Sequence, residues 1–161
     1  IIYEGRSALT SHKKHLATIT NPEGLRGEIR EAVADADVLI GVSGPGTIAS
    51  AHIEMMAENP IVFALANPIP EISPIDAHRA GALIVATGRS DYPNQVNNSL
   101  AFPGIFRGVL DKNIPTITDD MKIRAAESIA KMVKNPTASK IIPSVNEPGL
   151  VKTVAKAITK K

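Results

Sequence analysis

Three short, nearly continuous runs of apolar residues divide the first half of the chain, and turn-forming residues follow each one. The runs are Asp37–Val42, Ile61–Ala66 and Ala82–Ala86. Short apolar runs without alternation are typical of parallel strands that are buried on both faces. Segments with helical patterns separate the runs, which implies right-handed crossover connections. The pattern therefore predicts an α/β fold with a partial, doubly wound parallel sheet and flanking helices.

The spacing of apolar residues and the capping residues predict the helices. Ser11, Thr47 and Thr118 are candidate N-caps, because their hydroxyl groups can accept hydrogen bonds from the first backbone N–H groups of a helix. Another helix is expected to start at Ser73 or Pro74. Phe106 and Val151 are expected to pack on buried helix faces. The predicted helices are 11–16, 25–34, 47–58, 73–80, 96–110 with an interruption near Pro103, 119–133 and 147–159.

Carboxamide side chains cluster behind the apolar runs. Asn67 ends the second run, and four carboxamides lie within five residues after the third: Asn94, Gln95, Asn97 and Asn98. A carboxamide both donates and accepts hydrogen bonds without charge, and ligands of parallel sheets bind outside the carboxyl ends of the strands. The cluster predicts a site for a hydroxy-carboxylate and a nicotinamide. The alternative is that these residues only form turns and caps.

A glycine-bearing turn, Ser43-Gly44-Pro45-Gly46, follows the first run directly. A strand, such a turn and a helix together can present backbone N–H groups to an anion or a cofactor. A plain strand-to-helix connection explains the same residues equally well. The turn alone does not decide between these interpretations.

Composition excludes several classes of protein. The 161 residues suit one domain, and 43% hydrophobic with 21% charged residues is ordinary for a globular protein. A net charge of +2 gives no support for nucleic-acid binding, and no apolar run reaches membrane-spanning length. The absence of Cys excludes disulfides and thiolate metal sites, and the acidic residues form no ligand motif. The chain begins at Ile1 without Met or a signal-peptide pattern, so we expect a truncated or processed product.

Four long motifs carry a family resemblance. TGRSDYPNQVNN with AFPGIFRG, IVFALANPIPEI at Ile61–Ile72, and ADVLIGVSGPG at Ala36–Gly46 resemble bacterial and archaeal malic enzymes, the decarboxylating malate dehydrogenases. The resemblance runs through essentially the whole chain in family order, but only to the second half of such an enzyme. It implies that residues 1–161 are the C-terminal part of a Rossmann-like dinucleotide-binding domain. The first strands, the glycine turn and the N-terminal catalytic domain would then be absent.

The resemblance implies an NAD- or NADP-dependent oxidoreductase that oxidises malate and releases CO2 to give pyruvate. In the family, the catalytic Tyr and Lys and the acidic ligands of a divalent metal, Mg²⁺ or Mn²⁺, belong to the half that is absent here. The chain alone is therefore expected to be inactive and to need a complementing N-terminal half. The family also suggests a cytoplasmic dimer without nucleic-acid or membrane partners.

Individual residues take roles from the resemblance. Asn67 and Asn98 are the candidate substrate-positioning residues of the catalytic site. The candidate cofactor-binding residues are Gly41, Ser43, Gly44, Asn67 and Asn97. Two alternatives stay open: a portion of another 2-hydroxy or amino acid dehydrogenase, and a non-catalytic dinucleotide-binding or assembly subunit. If strands are missing, an apolar patch is also expected where they would pair.

Overall fold

The computed structural model describes residues 1–160 and shows a three-stranded parallel sheet. The strands are β1 (Val38–Gly41), β2 (Ile61–Ala64) and β3 (Ile84–Thr87), and β2 lies in the middle. Gly41, Ala64 and Thr87 are level with one another in the register, so all three strands end at one edge. The predicted α/β class and parallel sheet are confirmed. Each strand is shorter than its apolar run.

Seven α-helices and one 3-10 helix accompany the sheet in the described residues. Thr118 caps its helix as predicted, accepting a hydrogen bond from a backbone N–H three residues ahead, and Ser73 caps the helix that begins at Pro74 in the same way. The predicted cap at Ser11 is wrong, because Thr10 takes that position and Ser11 is the first helical residue. The helices are α1 (Ser11–Ile19), α2 (Ile29–Val33), α3 (Ser50–Ile53), α4 (Pro74–Arg79), the 3-10 helix (Asn98–Leu100), α5 (Phe102–Asp111), α6 (Asp119–Ala130) and α7 (Leu150–Ala157).

Three predicted helix starts are wrong, each for a local reason. The Thr47 hydroxyl donates to the carbonyl oxygen of Gly44 at 2.8 Å, so the turn continues and α3 begins only after Ala49. Helix α2 begins after Gly27, whose φ of +111° is outside helical torsions. Helix α7 begins after Gly149, whose φ is +84°.

Two hydrophobic clusters form the interior. In the first, helices α2, α3 and α4 cover one face of the sheet, with Val62, Ala64 and Val85 packed among them. In the second, α5, α6 and α7 pack on one another around Met121 and Val154. The site residues predicted after β2 and β3 lie between these two clusters.

The prediction that β1 is buried on both faces is wrong. Val38 and Ile40 are 46% and 61% exposed, while Gly41 is buried against the side chain of Glu71. Val42, which continues this face, is 78% exposed. No described element among residues 1–160 covers this face of β1, so Val38, Ile40 and Val42 form an exposed apolar patch on it.

Helix α5 meets α7 through glycines. A Cβ atom built on Gly104 would lie 2.4 Å from the Cβ of Val154, and one on Gly108 would lie 2.7 Å from the Cβ of Ile158. Because the glycines face α7, Phe106 points outward and is 52% exposed, contrary to its predicted packing. Val151, predicted on the buried stripe of α7, is 44% exposed for the same reason: the close contact is centred on Val154 and Ile158.

Candidate cofactor and substrate site

A cleft of about 580 Å³ opens at the carboxyl edge of the sheet. Its floor includes Phe63 and Leu65 from β2 and the segment after it, and its rim carries Asn67, Asn97 and Asn98. Apolar walls with a few convergent polar groups are typical of small-molecule sites of this size. A second cavity of about 660 Å³ between α5 and α7 contains none of the predicted site residues.

Asn67 stands at the end of β2, where its exposed side chain lies against the backbone that follows β3. A Cβ atom on Gly88 would approach the Asn67 Nδ2 atom to 2.7 Å, so the amide can keep this position only beside a glycine. The Asn67–Pro68 peptide is cis, and Arg89 donates from Nη1 to the Pro68 carbonyl oxygen at 3.2 Å. The segments after β2 and β3 are thereby joined at the site.

Asn97 and Asn98 begin the 3-10 helix that follows β3. The Asn97 side chain donates to the Gly88 carbonyl oxygen at 3.2 Å and accepts from the Ser99 N–H at 3.0 Å, so it caps this short helix. Asn98 is exposed at the mouth of the cleft. The structure thus brings Asn67, Asn97 and Asn98 together, with Asn97 held by hydrogen bonds to its surroundings.

The other three predicted residues lie at the neighbouring strand end and do not line this cleft. Gly41 ends β1 and is buried, whereas Ser43 is exposed and Gly44 half-buried in the turn that follows. The Ser43 hydroxyl lies 2.8 Å from that of Thr47. Their predicted contact with a cofactor remains a prediction.

Glu71 is the residue that the sequence analysis missed. Its side chain is fully buried, and its Oε1 atom accepts from the Ser43 N–H at 2.7 Å while its Oε2 atom accepts from the Ala66 N–H at 3.0 Å. Burial disfavours the charged form, but the hydrogen bonds from Ala66 and Ser43 outweigh this and lower the pKa of Glu71. The carboxylate therefore links the turn after β1 to the end of β2.

Asn94 has a structural role within the carboxamide cluster. It is buried, donates to the carbonyl oxygens of Val85 at 3.1 Å and Ala138 at 2.8 Å, and accepts from the Ile141 N–H at 2.9 Å. These bonds fasten β3 to the segment before Pro143. For Asn94 the structural alternative, not the ligand interpretation, accounts for every observed contact.

Charged groups beside the cleft pair with each other. Arg89 donates to both carboxylate oxygens of Asp91, at 2.8 and 2.7 Å, and this bond lowers the pKa of Asp91. The Arg89 guanidinium also lies 5.7 Å from the centre of the Tyr92 ring. Within residues 1–160, no group of three or more His, Asp or Glu side chains is placed to hold a metal ion. No helix in the same range has the length and apolar character needed to cross a bilayer.

A parallel α/β sheet with a cleft at its carboxyl edge is the arrangement in which open α/β domains, including dinucleotide-binding ones, hold their ligands. The family described as "Malic enzyme, NAD binding domain" matches residues 1–161. The chain therefore belongs to the malic enzyme NAD-binding domain family, as the motifs predicted.

Relatives and solved structures agree with this assignment. The chain is 48% identical to the bifunctional malic/malolactic enzyme of Bacillus subtilis, over 99% of this chain and 40% of that protein. It is 48% identical to the NAD-dependent malic enzyme of Geobacillus stearothermophilus, over 88% of this chain and 30% of that protein. The crystal structure of an NAD-dependent malic enzyme from Thermotoga maritima superposes with a TM-score of 0.91 at 44% identity, covering 98% of this chain and 42% of the other. The chain thus spans well under half the length of these proteins.

Proposed function

We propose that this chain is the C-terminal cofactor-domain portion of an NAD- or NADP-dependent malic enzyme, which converts malate to pyruvate with reduction of the dinucleotide. The observation that carries the proposal is the convergence of Asn67, Asn97 and Asn98 on one cleft at the carboxyl edge of the sheet. Relatives bear both names, NAD-dependent and NADP-dependent malic enzyme, so the proposal includes either dinucleotide.

The cleft suits the nicotinamide end of a dinucleotide. Its apolar floor of Phe63 and Leu65 can cover a flat ring, and the Asn98 and Asn67 amides stand exposed at its rim. Carboxamides complement both the amide of a nicotinamide and the hydroxyl and carboxylate of malate. The dinucleotide, when bound, accepts the hydride from malate. The contribution of this chain is to orient the two reactants, and no proton transfer is assigned to it.

Ser43 and Gly44 extend the proposed cofactor contacts to the turn after β1. Both stand at the same sheet edge as Asn67, because β1 and β2 are adjacent and in register. Gly41 contributes by its small size, since a side chain there would collide with Glu71. We assign to these residues the nicotinamide side of the cofactor.

The remaining chemistry is assigned to a complementing N-terminal half. The described residues offer no cluster for Mg²⁺ or Mn²⁺, so no step through a metal is assigned to them. The acid and base groups are likewise placed in that half. Residues 1–161 are then the C-terminal part of one dinucleotide-binding domain, and the complete enzyme is a cytoplasmic dimer.

A hybrid enzyme tests the proposal. The segment of the Bacillus subtilis relative that matches this chain is replaced by the 161 residues, and reduction of NAD and NADP is followed with malate and Mn²⁺. We expect malate-dependent reduction and pyruvate formation from the hybrid, and neither from the chain alone.

The relative truncated before the matching segment serves as the negative control. A folded hybrid that neither reduces dinucleotide nor forms pyruvate would overturn the proposed function. Robust turnover by the 161-residue chain alone would overturn the assignment of the remaining chemistry to a second half.

A further inference from the structure

We infer that Glu71 is a positioning residue that sets the two walls of the cofactor site relative to each other. The inference rests on the proposed function for the identity of the cofactor, but the contacts of Glu71 are independent of that function. Glu71 touches neither the cleft nor solvent, since its side chain is fully buried.

The two oxygens of Glu71 divide between two segments of the site. Oε1 accepts from both the N–H and the hydroxyl of Ser43, at 2.7 and 3.3 Å. Oε2 accepts from the N–H of Ala66, the residue immediately before Asn67, at 3.0 Å. One carboxylate therefore fixes Ser43, a predicted cofactor-binding residue, and also Ala66, the neighbour of the predicted substrate-positioning residue Asn67.

The surrounding backbone leaves the carboxylate little freedom to move. A Cβ atom on Gly41 would lie 2.8 Å from the Cδ atom of Glu71, so the side chain fills the space above the end of β1. The Glu71 carbonyl oxygen also accepts from the N–H of Ile48 at 3.4 Å, which holds the far end of the same turn. Side-chain and backbone contacts of one residue thus fasten the turn at both ends.

A buried carboxylate is well suited to this role because it is an acceptor only. Both partners are backbone N–H donors, and each would lose its partner if the loops moved apart. The Ala66 N–H is buried, so leaving it without an acceptor is unfavourable, and the part-buried Ser43 N–H shares the same carboxylate. The spacing of the two loops is therefore fixed by hydrogen bonding as well as by packing. A glutamine of the same shape can accept only at one end, because its NH2 group would face a donor at the other.

The test compares Glu71→Gln with the control Ile72→Val. Ile72 is buried in the adjacent core but bonds to neither loop through its side chain, so its variant lowers stability without releasing them. Hydrogen exchange of peptides covering 41–46 and 64–68 is measured in the 161-residue chain. Steady-state kinetics are measured in the hybrid enzyme.

We expect Glu71→Gln to accelerate exchange at the Ser43 or Ala66 amide by at least about tenfold, as loss of a bond to a charged group requires. In the hybrid we expect the KM for the dinucleotide to rise by about tenfold, whereas Ile72→Val leaves both quantities near the unaltered values. Unchanged exchange and unchanged KM in Glu71→Gln would overturn the inference.

Two further outcomes remain decisive. If Glu71→Gln does not fold, Gly41→Ala takes its place in the test, because the added methyl group displaces the carboxylate while leaving it charged. Normal hydrogen exchange and a normal KM in Gly41→Ala would also overturn the inference. If the unaltered hybrid lacks activity, the proposed function fails, and the exchange data alone decide whether Glu71 fixes the two loops.

Discussion

The two hydrophobic clusters of this chain are built by different means. Three buried polar residues, Glu71, Thr87 and Asn94, lie beside the sheet cluster, and they are the only ones among the described residues. The cluster of α5, α6 and α7 is held by apolar side chains and by glycines that let two helices touch. Polar burial is costly unless every bond is made, and here the bonds of Glu71 and Asn94 hold loop segments beside the sheet. The helical cluster combines complementary shape with hydrogen bonds from the side-chain ends of Lys112 and Arg124 to carbonyl oxygens at the end of α7.

The largest effect is expected from filling the glycine contact. Gly104→Ala with Gly108→Ala places methyl groups against Val154 and Ile158, where overpacking costs about 1–3 kcal/mol for each. The better helix propensity of alanine returns only about 1 kcal/mol at each position. Thermal unfolding of the chain should therefore shift down by several degrees.

Leu110→Ala is the matched control for that measurement. Leu110 lies on the outer face of α5 and is 74% exposed, so its truncation should change the free energy of unfolding by no more than about 0.5 kcal/mol. An unchanged melting temperature in the double glycine variant would show that α5 and α7 are not in close contact.

Removing the exposed amides of the cleft between the two clusters should lower catalytic activity and leave stability nearly unchanged. Asn67→Ala or Asn98→Ala in the hybrid removes a hydrogen bond to a charged group, worth roughly 1.5–3 kcal/mol, or about a tenfold to hundredfold loss of kcat/KM for malate. Both side chains are exposed, so melting temperatures should change little.

Asparagines away from the cleft provide the controls for this loss. Asn135→Ala removes an amide at an exposed position outside the cleft. At Asn113 the replacement is glycine, because the φ of +48° is a left-handed backbone that glycine adopts without strain. Both should keep kcat/KM near that of the unaltered hybrid. Normal kcat/KM in folded Asn67→Ala and Asn98→Ala would refute the site assignment.

A smaller loss is expected from Gly88→Ala, which moves the Asn67 amide without removing it. The new methyl group would meet Nδ2 at 2.7 Å, and the end of a flexible side chain can shift aside. A displaced Asn67 amide would orient the substrate less accurately, which should lower kcat/KM about threefold to tenfold. In the double variant with Asn67→Ala the two losses should not add, because they act through one amide. Full additivity would disprove the coupling.

The smallest effect is expected at the surface of the helical cluster. Glu127 of α6 and Lys131, which caps the end of that helix, form an ion pair at 3.3 Å, and both side chains are largely exposed. Glu127→Gln should therefore lower the free energy of unfolding by no more than about 0.5 kcal/mol in chemical denaturation. A loss above 1 kcal/mol would show that surface charge contributes more to this cluster than its packing implies.

Local chemistry explains which parts of the fold the sequence predicts. Ser73 and Thr118 act within their own helical turns, so the caps of α4 and α6 can be read from neighbouring residues. The strands follow from apolar runs for the same reason. Phe106 was assigned wrongly, because a large apolar residue normally marks the buried face of a helix, whereas here glycine makes the contact.

The site was predictable only in part. The carboxamides after the strands of a parallel sheet indicate a cleft, and Asn67, Asn97 and Asn98 do share one. Glu71 gives no such signal, because its partner Ser43 is 28 residues away in the chain. A lone glutamate between a proline and an isoleucine also looks like an ordinary surface residue. Only the fold shows that it is buried between two strand ends.

The contact between Gly104 and Val154 links two distant positions in the evolution of the sequence. They are 50 residues apart in the chain, yet they compete for the same volume. A lineage that acquires alanine at 104 needs a smaller residue at 154 before or soon after, since the two larger residues cannot coexist without a shift of the helices. Substitutions at these positions should therefore occur as correlated pairs. The residue at 154 should become smaller before the residue at 104 becomes larger, because that order keeps the two helices packed at every step.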